Sequence, residues 1–184
     1  MKKLLVFAAF AMLAVVTHAA AVGWSLAGAT SYANDKYQFF VIGQNGATSI
    51  ATITALLDAG TSVDSYAFGS GAIAANGSAN VGTSASGKTL DAGTYEGFFV
   101  VFDAASPASG SANYAVVSGA TGLTKTIAAT TANVTFAAGS AATILGNADN
   151  WKSFGTGGGD IPEPTSGLLL LVGAGMLALR RKQK

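Results

Sequence analysis

The sequence predicts a mainly β chain. It reads as a single β-sandwich-like domain with one short helix, flanked by an N-terminal signal helix and a C-terminal transmembrane helix. Three observations predict this. Between residues 22 and 154, short aromatic and aliphatic runs recur about every ten residues with Gly- and Asn-rich turns between them, as in sandwich domains. One run alone, 49–58, has helical spacing. At each end of the chain lies a 13-residue apolar stretch with basic residues on its outer side.

The N-terminal stretch comes first. Lys2 and Lys3 precede an apolar run from Leu4 to Val16. Thr17-His18-Ala19 and Ala19-Ala20-Ala21 both place small residues at the two positions that a signal peptidase reads. Thr17, Ala19 and Ala21 therefore delimit the cleavage region, and residues 1–21 read as a secretory signal peptide. The run is short for a membrane span, which takes about 20 residues.

The exported domain follows, over 22–154. Lys36 to Gly43 reads as a strand, with Tyr37, Phe39 and Val41 on one face and Phe40 and Ile42 on the other. Gln44-Asn45-Gly46 signals a turn. In 49–58, Ile50, Ile53, Thr54 and Leu57 fall at i, i+3, i+4 and i+7; Ser49 can cap the start and Gly60 can follow the end. Ser65 to Phe68 reads as a short strand or strand end. Ala72 to Ala74 and Ala79 to Val81 flank Asn76-Gly77, a hairpin-type pair. Glu96 to Phe102 is apolar on both faces, as a central strand is. Phe98, Val100 and Phe102 share one face; Tyr95, Phe99 and Val101 share the other. Asn113 to Ser118, Leu123 to Ala128 and Asn133 to Ala137 alternate apolar and small polar residues, which suits strands with one buried face. Ala141 to Leu145 predicts a turn of helix. Trp151 and Phe154 close the core.

A glycine-rich linker spans 155–161. Pro162, Glu163 and Pro164 follow, then an apolar segment over 165–179, and Arg180, Arg181 and Lys182 open a basic tail. Arginines and lysines stay on the cytoplasmic side, so everything between the two ends is placed outside. The 13 residues from Gly167 to Leu179 make a helix of about 20 Å against a hydrocarbon core of about 30 Å, which points to transient anchoring in the inner membrane.

This ordered ending resembles the PEP-CTERM sorting signal of Gram-negative bacteria. The resemblance covers about residues 161–184. It implies that an exosortase-type membrane protease recognises the segment and removes it near Pro162-Glu163-Pro164. It also implies delivery to the cell surface or the extracellular space, where members of the family often serve in biofilm or extracellular polysaccharide assembly.

Composition limits what the exported part can do. Of 10 basic residues, only Lys36, Lys88, Lys125 and Lys152 lie between 22 and 160, against eight acids, for a net charge of about −4. A nucleic-acid partner needs clustered Lys and Arg, so none is expected. The single histidine, His18, falls in the signal peptide and there are no cysteines. Imidazole bases, thiol nucleophiles and the usual zinc sites are thereby excluded from the mature chain. Ala85-Ser86-Gly87-Lys88 lies in a polar loop and does not read as a nucleophile motif. A two-carboxylate hydrolase needs acids flanking one bond, but Asp91, Asp103, Asp149 and Asp160 lie at turns, where Asp bonds local backbone. Calcium is the one ion for which Asp58, Asp64, Asp91 or Asp103 offer suitable oxygens, yet no motif specifies a site and no cofactor is expected. The expected role is non-catalytic and structural or adhesive. The alternative is a carbohydrate-binding module for extracellular polysaccharide, with Trp24, Tyr32, Tyr66, Tyr114 and Trp151 as candidate platform rings, and a two-carboxylate hydrolase is a third, less favoured reading.

Overall fold

The computed structural model describes residues 19–43, 48–81 and 88–155. The expected signal helix up to His18, the expected transmembrane helix, the linker beyond Gly155 and the basic tail lie outside these residues. Among the described residues no helix is long and apolar enough to cross a membrane.

The domain is mainly β, with ten strands in two sheets and two short α-helices among the described residues. The strands are β1 (Ala20–Leu26), β2 (Lys36–Ile42), β3 (Gly69–Ala72), β4 (Ala79–Val81), β5 (Thr89–Leu90), β6 (Gly93–Phe102), β7 (Asn113–Val117), β8 (Thr124–Ile127), β9 (Asn133–Ala138) and β10 (Trp151–Ser153). The helices are α1 (Ile50–Asp58) and α2 (Ala141–Leu145). In the smaller sheet β1 is central: β4 and β5 pair antiparallel along one side and β9 pairs parallel along the other. The larger sheet runs β10-β7-β6-β2-β3, with β8 pairing the first half of β6.

The alternation in the sequence decides the layers. Tyr37, Phe39 and Val41 of β2 and Phe99 and Val101 of β6 face the smaller sheet, where they meet Val22, Trp24, Leu26, Val134 and Phe136. Trp24 stacks on Phe39 with ring centroids 5.4 Å apart, and Phe136 lies 5.5 Å from Phe39. Phe40, Phe98, Val100 and Phe102 face the opposite way, against Ile53, Leu57 and Val63. The two sheets and α1 therefore make three layers, where a sandwich alone has two. The larger sheet is buried on both faces, which explains why β2 and β6 read as nearly continuous apolar runs. Burying each such side chain contributes roughly 1.5–3 kcal/mol. With no cysteine in the chain, these two cores carry the stability without a crosslink.

Helix α1 forms where its spacing predicts. Ser49 caps it by accepting the Thr52 backbone N–H at 3.1 Å. Ile53 and Leu57 are buried on the β-branched run's inner face. Gly60, with φ +70°, takes the left-handed turn just past its end. Two other segments depart from expectation. Ser65 to Phe68 is mostly turn, closed by the Tyr66 N–H donating to the Val63 carbonyl, and the strand begins only at Gly69. Asn76-Gly77 does make a tight turn, but β3 and β4 on either side of it belong to different sheets. The turn carries the chain across the core instead of closing a hairpin. Finally, β1 has no counterpart in the sequence reading; it begins at Ala20, inside the stretch assigned to the signal peptide, and continues over 22–26, where no strand is expected.

Candidate functional site

The last described residues form the root of the C-terminal tail. β10 pairs antiparallel with β7, placing Ser153 opposite Asn113. Phe154 then turns into the helix-side core and meets Phe102 edge-on at 5.6 Å. Its N–H donates to the Ala112 carbonyl at 2.8 Å, and its carbonyl accepts the Gly110 N–H at 2.6 Å. The Gly155 N–H donates to the Leu57 carbonyl at 2.9 Å, near the end of α1. Gly60 and Gly155 both have left-handed φ, and a Cβ on either would collide with Ser109. Both glycines are thus needed for the close approach as well as for the turn. The tail leaves from a clamp made by α1, the 103–112 connection and β10.

Beside this root lies a cleft of about 180 Å³, lined by Lys36, Gln38, Ser62 and Asp64 along with Phe102 and Phe154. Asp64 is its hub. Lys36 Nζ donates to its Oδ1 at 2.8 Å, Ser62 donates to Oδ2 at 2.8 Å, and the Gln38 amide nitrogen donates to Oδ1. The Lys36 ammonium bond, with help from Ser62 and Gln38, holds the Asp64 carboxyl below the usual range despite partial burial. Gln38 is 1 % exposed, and its side-chain oxygen accepts no hydrogen bond from any described residue. Nearby, burial and the charge of Asp103 push the Asp35 carboxyl up.

Two further acids are tied into the fold. Asp103 accepts both the backbone N–H and the side-chain amide of Asn113, each at 2.7 Å. Asp58 accepts the Tyr114 hydroxyl at 2.6 Å. Among the described residues no three His, Cys, Asp or Glu side chains gather to hold a metal ion. The rings fare similarly. Trp24 and Tyr114 are buried. Tyr32 and Trp151 stack on each other at 5.1 Å, and both aim their polar tips at the Leu145 carbonyl, at 2.6 and 2.8 Å. They fasten β10 to α2. The five rings form no shared platform: Trp24 and Tyr114 are inside, Tyr32 and Trp151 stack on each other, and Tyr66 packs partly buried against the helix-side core. Spacing could not reveal the Lys36–Asp64 or Tyr114–Asp58 pairs, whose members lie 28 and 56 positions apart.

Of the residues singled out from the sequence, Pro162, Glu163, Pro164, Arg180, Arg181, Lys182 and Thr17 lie outside the described residues. Ala19 is the first described residue, and Ala21 sits in β1. Neither Ala19 nor Ala21 lines the cleft. The decisive likeness is at the C-terminus, where residues 160–183 match the family described as the PEP-CTERM protein-sorting motif. The chain carries a PEP-CTERM sorting signal. The motif marks the protein for export and for processing by exosortase, a membrane protein. No curated protein and no solved structure matches the chain. The PEP-CTERM signal therefore speaks for the last residues, and the domain in front of it speaks through its geometry alone.

Proposed function

We propose that this chain is an exported cell-surface or extracellular-matrix protein whose β domain has a non-catalytic, structural or adhesive role. One observation carries the reading: a PEP-CTERM signal at 160–183 attached to a domain that ends at a fixed root, Phe154-Gly155. The two are separated by a short glycine-rich stretch. The domain is cargo, and the signal places it. The tethering of Asp58, Asp64 and Asp103 to Tyr114, Lys36 and Asn113 supports a structural role for these carboxylates. Transient anchoring in the inner membrane with the N-terminus outside, followed by release near Pro162-Glu163-Pro164, completes the route.

Fractionation of cells making the full chain, or a chain ending at Gly155, tests the placement. The full chain is expected at the surface or in the medium by way of a membrane-associated form, and the shortened chain is expected to bypass that form. Identical fractionation of the two contradicts the proposal. A glycan array probed with the purified domain tests the role: no specific binding is expected, and retention of a defined polysaccharide would favour the carbohydrate-binding alternative.

A further inference from the structure

We propose that signal peptidase cuts between Ala19 and Ala20, so that the mature protein begins with the first residue of β1. The inference rests on the export reading above but is decided by the fold. The sequence offers two sites with small residues at the required positions: Thr17 with Ala19, which cuts before Ala20, and Ala19 with Ala21, which cuts before Val22.

The two cuts leave different domains. Ala20 is fully buried and pairs with Leu90 of β5. Ala21 pairs with Thr89 on one side and Asn133 on the other, and its N–H donates to the Ala132 carbonyl at 2.9 Å. Cutting before Val22 removes both pairs that join β5 to the sheet, and among the described residues β5 pairs with no other strand. It also shortens the central strand of the smaller sheet at the end where β5 and β9 flank it. Cutting before Ala20 keeps every pair of β1. The amine produced is that of Ala20, one residue in from the partly exposed Ala19. In the reaction water is consumed: its oxygen goes to the Ala19 carbonyl carbon, a proton goes to the Ala20 nitrogen, and residues 1–19 leave as a peptide.

Intact mass and N-terminal sequencing of the protein recovered from exporting cells tests this. The expected N-terminus is Ala20-Ala21-Val22-Gly23-Trp24. A start at Val22 overturns the inference while leaving export intact. A retained Met1 overturns both, and so separates failure of the export reading from failure of the site. Substitution gives a second arm. Thr17→Phe blocks only the first site and is expected to abolish the Ala20 form, whereas Ala21→Leu blocks only the second and is expected to leave it. The opposite pattern overturns the assignment.

Discussion

The Tyr114 hydroxyl donates to Asp58 across 2.6 Å, fastening β7 to the last residue of α1. Asp58 sits at the carboxyl end of a helix, where the helix dipole disfavours an anion. The tyrosine proton offsets that cost. Tyr114→Phe is therefore expected to destabilise the domain by about 1–3 kcal/mol, because it removes a donor from a charged acceptor. Asp58→Asn keeps an acceptor and relieves the dipole, so it is expected to cost less. Urea unfolding of the two variants checks the order.

The same pair sets an alkaline limit. Burial, then the Asp58 hydrogen bond and charge, push the Tyr114 pKa well above its ordinary value of 10. The folded state thus holds this proton more tightly than the unfolded chain. Stability from it is fully present below pH 10 and is lost as pH rises through the higher, folded value. The Tm of the wild type is expected to fall more steeply above pH 10 than that of Tyr114→Phe.

At the acid end two carboxylates act in opposite senses. Asp64 is held low by Lys36, so its contribution is present above its ordinary value of 3.8 and fades as pH falls below it. Asp35 is pushed up by burial and by Asp103, so its ionised form opposes folding at neutral pH and this penalty disappears below 3.8. Asp35→Asn is expected to stabilise the domain at pH 7, by a few tenths of a kcal/mol at this partly exposed site, and to give no gain at pH 3. Thermal melts at the two values check it.

Gly69 opens β3 directly over Trp24, and a Cβ there would overlap the indole ring. The ring has little room to yield, since it is 1 % exposed and stacked on Phe39. Gly69→Ala is expected to cost about 1–3 kcal/mol as overpacking. Gly43→Ala, where nothing lies within 4 Å of the added Cβ, reports the cost of a left-handed φ alone and is expected to cost less. Chemical denaturation compares them.

The strands that could be read from the sequence are those whose two faces are both apolar or cleanly alternating. β2 and β6 carry their face assignments in Tyr37 to Ile42 and Tyr95 to Phe102, and α1 carries its own in Ile50, Ile53 and Leu57. β3 could not be read, because Gly69-Ser70-Gly71-Ala72 has no apolar face; its place is set by Trp24 and by pairing with β2. β1 was hidden for a different reason. Ala20 and Ala21 satisfy a peptidase and a sheet equally well, and only long-range pairing with Leu90 and Asn133 separates the two uses. The sorting signal was legible because its order is local. The Asp64 hub was not, because Lys36, Gln38 and Ser62 converge on it from separate segments.

The linker sets how closely the domain can approach the processing motif. From Gly155 to Pro162 the chain can reach at most about 25 Å, at roughly 3.5 Å per residue. Deleting Thr156 to Gly159 brings the domain's root to within about 10 Å of Pro162 and is expected to slow removal of the tail. A Ser/Gly replacement of equal length is expected to leave it unchanged. Immunoblotting against a C-terminal tag follows the tail-bearing form.

The central claim is that the sorting signal delivers the domain and is then removed. Intact-mass measurement of the protein recovered from the cell surface and medium tests it most directly. The account predicts a C-terminus near Pro162-Glu163-Pro164, with Arg180 to Lys184 missing. An intact basic tail on every recovered molecule would contradict it.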